Sequence, residues 1–271
     1  MQNVAFCNVV RYTGHYEVVI VFDLIRGSQM KKHRFVALLA SALLCACATQ
    51  IPKQAFDKKT GESLKSVALV EFPDPNIYSV LGLTQSAYTA PLLLFGAIGG
   101  AIMGTANISI AQEQAKRLSE AMKPHQPNAS SNLLAELEAQ LKARGFEVTR
   151  IKAPEKKTED DKELSYAEAG VTQDAILESK ISLAGYRWRD GRLAPLVGVR
   201  VRLLAKTGQP ALYADLIQYG DKMNDQFVDI PPDPKYEFSD LDKLYAGGNL
   251  AAEGIRAGTK QIANRIAADL R

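Results

Sequence analysis

Residues 30–47, M-K-K-H-R-F-V-A-L-L-A-S-A-L-L-C-A-C, divide this chain before any folded element can be read from it. Lys31, Lys32 and Arg34 make a positive cluster, Phe35 to Leu44 make an apolar run too short to cross a bilayer as a stable helix, and small residues lead into Cys47. That succession is the layout of an export signal. Whatever folds must therefore be built from the residues beyond it. A positive cluster of this kind ordinarily opens a protein, so translation is expected to start at Met30. Residues 1–29 are then an extension outside the mature chain. Val18 to Phe22 reads as a strand, but no turn or cap joins it to the residues after it.

Leu44-Cys45-Ala46-Cys47 resembles the lipobox of bacterial lipoproteins, whose usual form is leucine, two small residues and cysteine. The resemblance implies diacylglycerol transfer to the Cys47 thiol, cleavage before Cys47 and acylation of the freed amine. Cys45 is the poorer acceptor, because Leu43 and Leu44 would put bulky side chains where small ones are required. Each buried methylene contributes roughly 0.8 kcal/mol and one chain binds only marginally, so a multiply acylated cysteine is an effectively permanent anchor. Ala48, in place of an aspartate, resembles the outer-membrane sorting pattern. It implies a lipid-anchored protein of the cell envelope, on the outer membrane and facing the periplasm.

Removal of residues 1–46 takes five basic and two acidic residues from totals of 33 and 30, so the two signs balance at 28 each. A balanced surface argues for no polyanion partner, and no nucleic-acid binding is expected. The chain's cysteines are Cys7, Cys45 and Cys47, so the mature protein keeps one, acylated, and no internal disulfide can form. His15 and His33 leave with the signal, and His125 remains in the loop-like K-P-H-Q-P stretch. These losses exclude Cys/His zinc sites, thiol nucleophiles and any mechanism needing two histidines. No metal, cofactor or catalytic residue is expected.

Along the mature chain, residues 47–63 are polar and read as a lipid-anchored tether, and 64–271 as a single α+β domain. Lys65 to Phe72 reads as a strand. The stretch Pro75 to Gln112 holds no charged residue, and 76–112 reads as an apolar insertion. Within it Gly96, Gly100 and Gly104 recur at the spacing that lets helix backbones approach closely. Membrane contact, self-association and burial in an oligomer all fit that pattern. A charged helix follows to Met122. Leu133 to Arg144 is an amphipathic helix with Asn132 as its cap, Leu133, Leu137 and Leu141 along one line, and Gly145 as its stop. Phe146 to Ile151 reads as a strand.

Gln173 to Tyr219 reads as an antiparallel meander, with Asp190-Gly191 at one turn. Val197, Val199, Val201 and Leu203 alternate with Arg200 and Arg202, placing the two sets on opposite faces. Arg187, Arg189 and Arg192 near the turn are a candidate contact for an anionic lipid or glycan, against the plainer reading of a solvated sheet face. Tyr186 and Trp188 make the same tip a candidate protein contact. Leu241 to Arg271 closes the domain as a helix with Ile255, Thr259, Ile262, Ile266 and Leu270 on one face, broken or delayed at Gly247-Gly248.

The order of elements predicts an α+β fold, with an antiparallel or mixed sheet carrying helices on one face and an apolar glycine-rich helical segment inserted. The runs L-L-A-E-L-E-A-Q-L-K-A-R-G-F-E-V (133–148) and D-A-I-L-E (174–178), followed by the hairpin, resemble the domain shared by the curli-secretion lipoprotein and the TolB amino-terminal module. The resemblance spans roughly Lys65 to Ala268 and departs from that domain in the glycine-rich insertion. It implies a non-catalytic binding or assembly module whose partners are the membrane, through the lipid, and other envelope proteins or further copies of itself. An oligomeric pore or secretion subunit using the glycine segment is the alternative. A carboxylate-based envelope hydrolase is the third.

Overall fold

The computed structural model describes residues 53–61, 63–82, 105–154, 166, 170–206, 211–220 and 227–270. A seven-stranded mixed sheet runs through them. Its strands are β1 (Ser66–Glu71), β2 (Ser79–Leu81), β3 (Glu147–Lys152), β4 (Ala175–Arg189), β5 (Arg192–Ala205), β6 (Ala211–Tyr219) and β7 (Val228–Ile230). The order is β3-β1-β4-β5-β6-β7, with β2 also pairing β4. The expected meander is β4-β5-β6, both of its pairs antiparallel. The flanking pairs β1/β3, β1/β4, β2/β4 and β6/β7 are parallel.

β1 lies along the first part of β4 (Val67 opposite Ala175) and β2 along its last part (Ser79 opposite Gly185). Together they form one interrupted strand beside the longest strand of the sheet. β2 approaches so closely at Gly185 that a Cβ there would run into the Ser79 backbone. Neither β2 nor β7 was expected. Three residues is too short a run for alternation to register, and β7 lies in a stretch whose prolines read as irregular.

Five helices accompany the sheet among the described residues: α1 (Lys58–Gly61), α2 (Thr105–Met122), α3 (Ala129–Ala143), α4 (Leu241–Ala246) and α5 (Gly248–Asp269). α3 and α5 pack side by side, and α5 also lies on β5 and β6. The α3 line Leu133, Leu137 and Leu141 is fully buried against Val67, Leu69, Leu177, Val199 and Val201, with Ile255, Ile262 and Ile266 from α5. The break foreseen at Gly247-Gly248 separates α4 from α5. Gly248 sits against the Ala121 backbone of α2, Gly254 against Tyr186 and Tyr236, and Gly258 against Tyr219 and Val197, so α5 comes down very close to its neighbours. Tyr186 Oη donates to the Ala251 carbonyl at 3.2 Å, and Tyr213 Oη to Asp269 Oδ2 at 2.9 Å, which ties α5 to the sheet near both of its ends.

Three expectations are corrected. Asn132 does not cap α3, since the helix begins at Ala129. The free N–H groups of Ser130 and Ser131 are instead taken by the Asp74 carboxylate, at 2.6 and 3.4 Å, from the loop after β1. The face of the sheet away from the helices is not a solvated one. Ala68, Val70 and Ile176 are fully buried on it, with Leu196 at 1 % and Leu204 at 4 %. Residues 53–63, read as the far part of the tether, lie on the fold. Gln54 exchanges two backbone hydrogen bonds with Ala214 (2.8 and 2.9 Å), Lys53 pairs with Asp215, and Phe56 and Leu64 pack on the core.

Candidate functional site

A shallow cleft of about 730 Å³ lies over the outer surface of α5. One wall is α3, through Asn132 and Glu136, and the other is the segment Ile230 to Tyr236, stiffened by Pro231 and Pro232. Glu253, Arg256, Ala257, Lys260 and Gln261 come from α5 itself. The small Ala257 between charged neighbours leaves the hollow.

Its walls are held by specific bonds. Arg256 Nη1 donates to the His125 carbonyl at 2.8 Å and more weakly to Gln126 at 3.4 Å, clasping the 123–128 loop to α5. Gln126 and Asn128 in that loop are left-handed, at φ 44° and 38°. Opposite, the Asp233 N–H donates to Tyr219 Oη at 2.8 Å. Asp233 Oδ1 accepts from the Lys235 N–H at 3.1 Å and Oδ2 pairs with Lys235 Nζ at 3.2 Å, which hold its carboxyl below the usual range, the backbone donor most strongly. The Lys235 ammonium is raised by its contacts with Tyr236 and then Asp233. Burial pushes the Tyr219 phenol up.

The cleft therefore offers both acids, Glu136, Asp233 and Glu253, and bases, Lys235, Arg256 and Lys260, with Lys260 and Gln261 exposed. None of its lining residues is Ser, Thr, Cys or His. Its chemistry is hydrogen bonding and ion pairing of both signs. Among the described residues, no three His, Cys, Asp or Glu side chains gather as a metal-ligand set. None of the described helices is long and apolar enough to cross a membrane.

The arginines at the β4–β5 turn fall as their alternation requires, but a β-bulge decides which way. Ser182 is the extra residue between Ile181 and Leu183, its Oγ donating to the Gly198 carbonyl at 3.1 Å. Beyond the bulge, Ala184 and Tyr186 turn toward the helices, and Trp188 packs half-buried on the same core. Arg187 and Arg189 therefore belong to the other face, with Arg192 directly opposite Arg189. Trp188 and the arginines do not form one surface, and Tyr186 is a fully buried core residue. Arg189 pairs with Asp190 at 3.3 Å and Arg192 with Glu237 at 3.9 Å.

Further along that face, Glu178 is 5 % exposed. It accepts Tyr166 Oη at 2.6 Å and Arg202 Nε at 2.6 Å. Burial first, then the neighbouring carboxylate, raises the Tyr166 phenol. This closed network binds Tyr166 to the sheet. The expected lipidation site Cys47, the signal residues Lys31, Lys32 and Arg34, the lipobox residues Leu44, Cys45 and Ala46, and the glycines Gly96, Gly100 and Gly104 lie outside the described residues. Sequence reasoning missed the cleft. The usable signal was Pro231-Pro232 together with one alanine among the charged exposed positions of α5.

No family model matches this chain, and no curated protein matches it. Among solved structures, it is similar to lipoprotein GNA1162 from Neisseria meningitidis at 12% identity and a TM-score of 0.25, over 56% of this chain and 81% of that one. It is also similar to the hypothetical protein CT253 from Chlamydia trachomatis at 12% identity and a TM-score of 0.30, over 76% and 98%. Likenesses this distant decide nothing about function.

Proposed function

We propose that this protein is a lipid-anchored module of the bacterial cell envelope that binds or assembles other envelope components without chemistry of its own. The observation that carries the reading is the positive cluster, short apolar run and Leu44-Cys45-Ala46-Cys47 sequence, ending six positions before Lys53, where the described fold begins. The element order fits the resemblance to the curli-secretion lipoprotein and TolB amino-terminal domain. α3 ends at the left-handed Gly145, β3 follows, and β4 opens within D-A-I-L-E before the meander. The presence of both charge signs in the α5 cleft supports a polar peptide or glycan partner.

Expression from Met30 with labelled palmitate tests the anchor. Incorporation by the native protein and a Cys45→Ser variant, and none by Cys47→Ser, is the expected result. Incorporation that survives Cys47→Ser refutes the assigned site. Mass in mild detergent, for the native protein beside Gly100→Leu, separates a tethered module from a ring or pore. An oligomer lost in the variant favours the pore.

A further inference from the structure

The short connection between the proposed anchor and the fold limits how far one end of the domain can stand from the lipid. Lys53 and Gln54 are held on β6 by an ion pair to Asp215 at 3.4 Å and by the paired hydrogen bonds to Ala214. From there residues 53–65 cross to β1, where the Asp174 carboxylate accepts the N–H groups of Lys65 and Ser66, each at 2.9 Å. This is the end of the sheet at which β1 and β4 start and β5 finishes, Val67 lying opposite Ala175 and Ala175 opposite Ala205. Between Cys47 and Lys53 the chain has six steps of at most about 3.6 Å, so an acylated Cys47 holds this end within about 22 Å of the lipid. β4 then runs 15 residues to the Asp190-Gly191 turn, placing the turn about 45–50 Å farther along the strand.

We infer that the end of the sheet crossed by residues 53–65 is the surface this domain presents to the phospholipid headgroups, and that the β4–β5 turn is its membrane-distal tip. The inference rests on the proposal that the protein is a lipoprotein. Exposed residues at the headgroup end carry both signs, Lys59, Lys65 and Lys206 beside Asp57, Glu147 and Asp174. The connection, not net charge, holds this surface to the membrane, so the orientation is insensitive to salt. Arg189 and Arg192 stand at the far end, out of reach of the headgroups that hold the acyl chains.

The test uses the mature lipidated protein, in which the acylated Cys47 leaves no free thiol to compete for label. Single cysteines at Lys59→Cys and Arg192→Cys carry a donor dye, and vesicles of phosphatidylethanolamine and phosphatidylglycerol carry an acceptor on their headgroups. The Lys59→Cys label is expected within about 25 Å of the acceptor plane and the Arg192→Cys label beyond about 40 Å, at low and high salt alike. A flexible insert after Ile51 that doubles the connection should erase the difference. Equal distances for the two labels without the insert, or a nearer Arg192→Cys label, overturn the orientation while leaving lipidation standing. Failure to incorporate palmitate overturns the lipoprotein reading and this inference with it.

Discussion

Replacing Gly258 with alanine tests how tightly α5 is seated. An added Cβ would stand 2.6 Å from Tyr219 Cδ1 and 3.0 Å from Val197 Cγ2. Both neighbours belong to the core, Tyr219 at 2 % exposure and Val197 at 0 %. Carbon atoms rest at about 3.5–4.0 Å, so the overlaps are about 0.9–1.4 Å with the tyrosine and about 0.5–1 Å with the valine. The tyrosine ring is pinned at its far end, where its hydroxyl takes the Asp233 N–H. Overpacking of this kind costs about 1–3 kcal/mol, while alanine for glycine inside a helix recovers about 0.8–1 kcal/mol. With a rigid ring as the nearer obstacle, the strain should win by about 1–2 kcal/mol, a fall in Tm of about 2–8 °C for a domain of this size. Urea and thermal unfolding followed by circular dichroism measure it. Gly82→Ala is the control, since among the described residues, its chain neighbours aside, no atom lies within 4 Å of its Cβ position, and it should stay within about 0.5 kcal/mol. In a Tyr219→Leu background the penalty of Gly258→Ala should shrink, a coupling typical of touching residues. A Gly258→Ala protein more stable than the parent, by the helix-propensity amount alone, would refute the close seating of α5.

Two further predictions concern charged groups. Arg202→Met should destabilise by about 3–5 kcal/mol, because it leaves the Glu178 carboxylate buried without its cation. A combined Glu178→Leu, Arg202→Met protein should recover most of the loss, and equal denaturation midpoints for the single and double variants would contradict this. The Asp174 carboxyl is held below the usual range, first by the Lys65 N–H and then by the Ser66 hydroxyl and N–H. Its folded pKa lies below its unfolded value, so its stabilisation is full above the ordinary carboxylate range and fades as pH falls through the lowered value. Asp174→Asn should flatten the acid limb of Tm against pH, and an unchanged slope would refute the assignment.

The residues whose local pattern coincides with their final environment were the legible ones. Val197, Val199, Val201 and Leu203 face the helices because a two-residue period admits one arrangement, and Leu133, Leu137 and Leu141 line α3 for the corresponding helical reason. Partners distant in sequence stayed hidden. The Asp74 cap of α3 comes from 56 residues away, and the Ser66–Asp174 bonds join positions 108 apart. Nothing in a window around Asn132 or Lys65 encodes them. The bulge at Ser182 was equally invisible, and it reverses the facing of every β4 residue beyond it. The cleft required knowing that α3 and the Pro231-Pro232 segment flank α5, which is a fact of packing.

The interrupted strand formed by β1 and β2 also bears on how the chain comes together in time. The β4-β5-β6 meander closes through short turns, whereas β1 must wait for β4, more than a hundred positions later, and α3 waits with it. Non-local parallel pairing is the slow kind, because loop entropy must be overcome before any contact rewards it. Until it happens, β4 keeps a long open flank that any other extended segment could join. Were the chain anchored near its amino-terminal side as proposed, it would depend on β1 reaching that flank before a neighbouring chain does, and crowding on the same membrane would sharpen that contest.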